Sequence, residues 1–127
     1  MEDEKFKNEA QLEQFRSVMQ MATMAVKNAI LINGGGAISL LTFLGNAKLE
    51  FCVAYLVWAL QLFCLGVALA AFATAFGYFA QNRHLASIQN NEQERPGKKL
   101  GLISAVLVLL SYTVFAIGSV LASLSFT

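Results

Sequence analysis

The chain is short, apolar and almost neutral: it has 127 residues, of which 57% are hydrophobic and 13% are charged, and its formal net charge is +1. A soluble domain normally has about a quarter charged residues, and a domain that binds duplex nucleic acid concentrates Lys and Arg on one surface. The composition therefore argues against both classes, and the length predicts a single domain.

The first predicted element is an amphipathic helix within residues 1–27, which begins near Asn8 and continues into the first membrane span. Its apolar residues recur at spacings of three, four and seven, the period of a helix with one apolar face. These residues are Phe6, Leu12, Phe15, Met19, Ala22 and Val26. The segment either lies on the membrane surface or extends into the cytoplasm and packs against neighbouring helices. Its acidic start favours the extension, because a surface-binding helix is normally rich in Lys and Arg.

Three stretches without any charged residue follow, at residues 28–47, 51–82 and 100–127. About 20 apolar residues cross the hydrocarbon layer as a helix, and none of these stretches alternates between apolar and polar residues as a barrel strand does. The predicted fold class is therefore all-α, with three transmembrane helices. The second stretch would reach roughly 48 Å as a helix, so we expect it to tilt or to project beyond the membrane.

The basic residues are distributed unequally between the two sides of the membrane. Of the nine Lys and Arg residues, eight lie in residues 1–27 and 83–99, and only Lys48 lies in the turn between the first two spans. Because basic residues are retained in the cytoplasm, the N-terminus is expected there and the C-terminus outside. We expect Pro96 and Gly97 to end any continuation of the second helix, and the 83–99 connection to form a cytoplasmic collar with the N-terminal helix.

No catalytic or metal site stands out in the sequence. The three spans contain no Asp, Glu, Lys, Arg or His, whereas general acid–base catalysis requires a titratable group in a pocket and a proton-coupled pump normally has one in the membrane. Cys52 and Cys64 are interpreted as small packing residues, and with the single His84 they form no zinc spacing. We therefore expect no enzymatic activity, no cofactor and no metal.

Each predicted span has one face of small or weakly polar residues. In the first span these are Asn28, Gly35, Ser39, Thr42 and Asn46; in the second, Gln61, Cys64, Ala68, Ala71, Ala75 and Tyr78; in the third, Ser104, Ser111, Gly118, Ala122 and Ser125. Close packing between membrane helices explains such faces. The alternative is that the first-span face lines a water-filled path in an oligomer. The pore-lining candidates are this first-span face, hereafter the polar stripe, together with Gln61.

Two further groups of residues are candidates for a role in gating. Gly34, Gly35 and Gly36 lie in succession within the first span, where each lowers helix stability, and they are interpreted as a hinge or a close helix contact. A cationic group lies around the connection between the second and third spans: Arg83, His84, Arg95, Lys98 and Lys99. These cations either anchor the topology or contact a cytoplasmic ligand such as a nucleotide.

The sequence NAILINGGGAISLLTFLGN at residues 28–46 resembles a segment of small bacterial and prophage-encoded membrane proteins, some of which resemble membrane effectors of anti-phage defence. The resemblance implies a bacterial inner membrane protein that disturbs membrane integrity when triggered, often in partnership with a nucleotide-producing or nucleotide-sensing protein. It includes no catalytic signature, and no binding residue transfers from it.

Three functions remain open on the sequence. The first is a homo-oligomeric channel or pore-forming effector, gated from the cytoplasmic collar; three small-residue faces exceed what one three-helix bundle needs, and closed symmetry is usual for such assemblies. The second is a non-catalytic accessory subunit that recruits a cytoplasmic partner and does not conduct alone. The third is a small-solute transporter without proton coupling. In each case the expected surroundings are membrane lipid and, for a channel, further copies of the chain.

Overall fold

The computed structural model describes residues 2–46, 53–90 and 95–125, with side chains described in 4–46, 53–83 and 99–125. The chain forms three α-helices in succession: α1 (Glu2–Asn46), α2 (Val53–Asn90) and α3 (Arg95–Leu124). No strand occurs within the described ranges. All three helices are long and apolar enough to cross a membrane. The predicted fold class, an all-α protein with three membrane-spanning helices, is confirmed, and the chain is a multi-pass membrane protein.

The helices extend beyond the predicted spans at the side of the membrane where the N-terminus lies. α1 begins at Glu2, six residues before the expected start, and runs without a break into the membrane. α2 continues to Asn90, and its 38 residues extend about 57 Å against about 30 Å of hydrocarbon. The predicted connection at residues 83–99 is therefore mostly helical, although residues 91–94 lie outside the described part.

Pro96 and Gly97 do not end α2, as the sequence suggested, but lie in the first turn of α3. Proline is well accommodated there, because the first backbone N–H groups of a helix have no intrahelical acceptor and the fixed φ of proline matches the helix. The same proline that would interrupt α2 therefore initiates α3.

One face of α2 forms the centre of the bundle. The buried residues of this face are separated by alternating steps of three and four: Leu56, Ala59, Phe63, Gly66, Ala70 and Ala73. We call this row of buried residues the seam of α2. Because the spacing averages 3.5 residues, the seam stays turned towards the neighbouring helices when helices cross at a shallow angle. α2 packs against both α1 and α3 through this seam.

The Phe63 ring is the large side chain in this seam, and glycines on both other helices make room for it. A methyl group at Gly36 of α1 would lie 3.2 Å from a ring carbon of Phe63, and one at Gly118 of α3 would lie 2.9 Å from another. The ring also packs against Phe115, with the ring centres 5.4 Å apart. A bulky residue on the central helix and small residues opposite it thus set the spacing of the three helices.

The small-residue faces predicted for α2 and α3 have different surroundings. On α3, Ser111, Gly118 and Ser125 are buried inside the bundle, so this face packs within the chain. On α2, the face that includes Gln61 and Cys64 is mainly exposed, because the helix turns its other side to the core. The α2 face is therefore available to lipid or to another chain.

Candidate functional site

Two sets of polar side chains at membrane depth differ in burial. An amide or hydroxyl in a hydrocarbon environment is costly unless it is hydrogen-bonded. One set lies inside the bundle and ties the three helices together. The other lies on the outer surface of α1 and coincides with the polar stripe.

The interior set is centred on Asn33, which is fully buried. Its side-chain amide donates to the Ala29 carbonyl at 2.9 Å and to the Ser111 hydroxyl at 3.1 Å. The Ser111 hydroxyl in turn donates to the Gly66 carbonyl at 2.8 Å. We call Asn33, Gly66 and Ser111 the polar clasp, since it joins one residue of each helix.

The polar clasp depends on the absence of a side chain at Gly66. A methyl group there would overlap the side-chain amide of Asn33, so the amide lies directly against the α2 backbone. The Asn33 Oδ1 atom is buried and accepts no hydrogen bond from any residue that the structure describes. Leaving a buried acceptor unpaired costs about 1–3 kcal/mol. The hydrogen bonds that the clasp donates stabilise the bundle, and the unpaired Oδ1 atom offsets part of that stabilisation.

Two further hydrogen bonds connect α3 with its neighbours, and both lie on the side of the clasp towards the N-terminal end of α1. The Tyr112 hydroxyl donates to the Ala25 carbonyl of α1 at 2.9 Å. The Ser104 hydroxyl donates to the Ala73 carbonyl of α2 at 2.7 Å. In both cases a side chain of α3 uses a carbonyl that already belongs to a helix, as is common between membrane helices.

The polar stripe has no such partners on α2 or α3. All five of its residues are exposed: Asn28, Gly35, Ser39, Thr42 and Asn46. Thr42 donates to the Ile38 carbonyl at 2.9 Å, and Asn46 donates to the Thr42 carbonyl at 2.8 Å, both within α1. Asn28 and Ser39 make no side-chain hydrogen bond with any residue that the structure describes.

Helix geometry explains why the stripe is exposed. Gly36 faces the Phe63 ring of α2, and at about 100° per residue the stripe lies roughly a quarter turn around α1 from Gly36. The stripe therefore runs along the outer surface of the bundle. This placement is compatible with lining a path between copies of the chain.

Gln61 is not brought to the polar stripe. It precedes Phe63 by two residues and so lies on nearly the opposite side of α2, where it is exposed. Since Phe63 contacts Gly36 and Gly118, Gln61 points away from both α1 and α3. Within one chain, Gln61 and the stripe belong to different surfaces.

The three consecutive glycines differ in their surroundings. Gly36 contacts Phe63, so its lack of a side chain has a packing reason. Gly34 and Gly35 have open space where a methyl group would lie. α1 is helical throughout this region, so close contact accounts for Gly36 alone and leaves Gly34 and Gly35 as points of reduced helix stability.

The proposed collar is only partly described. The Gln81 side chain of α2 lies 3.9 Å from the Met19 sulfur of α1, which places the N-terminal part of α1 beside the end of α2. Of the five cationic candidates, Arg83 and Lys99 are exposed. The side chains of His84, Arg95 and Lys98 lie outside the described residues, as do residues 47–52, which include Cys52.

The described part of the chain contains no group of three or more potential metal ligands. Comparison with known proteins does not identify a relative: no family profile, curated protein sequence or solved structure matches this chain significantly. The two sets of polar residues are therefore the features that indicate a function.

The polar stripe predicted from the sequence did not include Asn33, and the partners of Asn33 were not predicted. One available signal was its spacing, because Ala29, Asn33, Gly36 and Leu40 repeat at four, three and four along α1, which is the period of a packing seam. The pairing with Ser111 depends on how α3 is aligned with α1, and no local pattern determines that alignment.

Proposed function

We propose that this protein is a homo-oligomeric membrane channel or pore-forming effector whose path is lined by the polar stripe of α1. The observation that carries the proposal is the exposure of all five stripe residues along one face of α1, while the polar clasp is enclosed by the bundle. Asn28 and Ser39 are exposed without a partner in the described chain. Such groups are stabilised by water or by a neighbouring chain rather than by hydrocarbon.

A path through a single copy is not compatible with the packing of the bundle. Leu56, Phe63 and Asn33 are buried at the centre, where the polar clasp ties the three helices together. The water-filled path therefore lies between copies, with the α1 stripes facing one another around a symmetry axis. Selectivity then depends on the width of the path and on neutral hydroxyl and amide groups.

The direction and setting of the channel follow from the distribution of basic residues and from the resemblance of residues 28–46 to anti-phage membrane effectors. The N-terminal part of α1 and the connection between α2 and α3 form the cytoplasmic collar, where a signalling partner or a nucleotide acts. The membrane is the bacterial inner membrane. Opening dissipates ion gradients and stops the growth of an infected cell.

Replacing the threonine of the stripe with leucine tests the proposal. Thr42→Leu places an apolar side chain in the path, so we expect ion flux through proteoliposomes to fall at least about tenfold, because a hydrophobic constriction excludes water. The matched control is Thr113→Leu, since Thr113 is also exposed and donates to the carbonyl four residues earlier at 2.9 Å but lies on α3. Flux that is equal in the two variants, at equal assembly, would remove the stripe from the mechanism.

One observation favours a second candidate, an accessory subunit that recruits a cytoplasmic partner. The N-terminal part of α1 exposes large apolar side chains, including Phe6 at 73% and Met21 at 67%, which is typical of a binding surface. This alternative predicts no flux from the purified protein alone. It also predicts a stable complex that is lost when the exposed apolar residues are replaced.

A further inference from the structure

Two features of α1 occur close together along the helix, and the proposed pore does not by itself require either of them. The first is the pair Gly34 and Gly35, which has open space around it and no packing role. The second is the set of hydrogen bonds from α3 and from Asn33 to the turns that immediately precede these glycines. Together they indicate a point at Gly34 and Gly35 where α1 can bend, and a set of hydrogen bonds that holds α1 against the other helices. We call this set, made by Tyr112 and the polar clasp, the latch.

The latch uses carbonyl groups that already take part in the helix. The Ala25 carbonyl accepts the Tyr112 hydroxyl at 2.9 Å, and the Ala29 carbonyl accepts the Asn33 amide at 2.9 Å. In an α-helix each of these carbonyls also accepts the N–H four residues later. A carbonyl oxygen has two lone pairs, so it can accept this second donor while it keeps its helical hydrogen bond.

The two hydrogen bonds to α3 attach both ends of the same short segment of α1. Tyr112 binds Ala25 at one end, and Ser111 binds Asn33 at the other, 3.1 Å from its amide nitrogen. Ser111 is also bonded to α2 through the Gly66 carbonyl. Residues 25–33 are thereby fixed to the other two helices, directly before two glycines that lower the stability of α1.

The latch is not fully satisfied, which makes its release energetically accessible. The buried Asn33 Oδ1 atom has no hydrogen-bond partner among the residues that the structure describes. The unpaired acceptor reduces the net stability that the donor contacts of the clasp supply.

We propose that Tyr112 and the polar clasp form a latch that holds α1 closed, and that α1 bends at Gly34 and Gly35 when the latch is released. The inference depends on the proposed function only in identifying this bend with channel opening. The Tyr112 hydroxyl is the best point to test it, because it is the one latch group that can be removed without creating a cavity or an unpaired buried donor.

The test compares Tyr112→Phe with Tyr78→Phe in the full chain, reconstituted in lipid nanodiscs. Tyr78 is exposed on α2 and packs edge-on against Phe79, so its variant controls for loss of a hydroxyl as such. Amide hydrogen exchange in residues 25–33 should become about three- to tenfold faster in Tyr112→Phe, as expected for loss of one hydrogen bond. Tyr78→Phe should leave this exchange unchanged.

Ion flux measured on the same samples separates the latch from the pore. Faster exchange and greater flux in Tyr112→Phe support both proposals. Faster exchange in a protein that never conducts supports the latch and contradicts the pore. Unchanged exchange in Tyr112→Phe overturns the latch, and if the wild-type protein conducts, the pore proposal stands without it.

Discussion

At the scale of single residues, Asn33 and Gly66 illustrate how a polar group is accommodated in an apolar bundle. The amide of Asn33 is fully buried and occupies the space that a side chain at Gly66 would fill. The small residue on α2 is therefore required by the polar residue on α1. Neither residue indicates this pairing by itself, because it depends on the contact between two helices.

Gly66→Ala is expected to destabilise the bundle by about 1–3 kcal/mol, because the added methyl group overlaps the Asn33 amide and displaces it from Ser111. The measurement is unfolding in mixed micelles, followed by circular dichroism. Gly35→Ala is the control, since open space surrounds that position, and it should be neutral or slightly stabilising. Asn33→Ala should reduce the effect of Gly66→Ala in a double-mutant cycle; equal destabilisation by Gly66→Ala with and without the amide would exclude the overlap as its cause.

At the scale of helices, the Phe63 ring between glycines of α1 and α3 determines how closely α2 packs. A methyl group at Gly118 would meet both the ring, at 2.9 Å, and the Ala59 carbonyl, at 3.4 Å. Because the carbonyl belongs to the α2 backbone, it cannot move without shifting the helix. The α2–α3 contact is consequently more sensitive to added volume at this position than a contact between side chains alone.

Gly118→Ala should weaken the packing of α3 on α2 by about 1–3 kcal/mol. Gly101→Ala is the matched control on the same helix, because nothing lies within 4 Å of a methyl group there. Unfolding in mixed micelles again provides the measurement, and Phe63→Leu in the Gly118→Ala background should restore part of the loss. Destabilisation of the same size at Gly101 would show that contact with Phe63 is not responsible.

The positions of the helices could be predicted more completely than their contacts. Absence of charge in residues 28–47, 51–82 and 100–127 was enough to predict three spans, because an apolar helix is the simplest way to cross a bilayer. The helix ends were less predictable: Pro96 suits either the end of α2 or the start of α3. Whether Pro96 ends α2 or starts α3 depends on tertiary structure.

At the scale of the whole molecule, three helices form a closed interior and leave two surfaces of different character. The polar stripe lies on one surface of α1, and the face that includes Gln61 and Cys64 lies on the outer side of α2. The period of 3.6 residues predicted which residues share a face of one helix. It could not predict that the α3 face is buried and the stripe exposed, because that depends on how the helices are rotated against one another.

The most direct test of the central proposal is single-channel recording of the purified wild-type protein in planar bilayers, after its oligomeric state has been measured by native mass spectrometry in detergent. A homo-oligomer with discrete conductance steps is the predicted result, since the stripes of several copies are needed to enclose a path. A monodisperse protein that produces no steps, at voltages of both signs and after addition of host lysate, would contradict the channel and favour the accessory subunit.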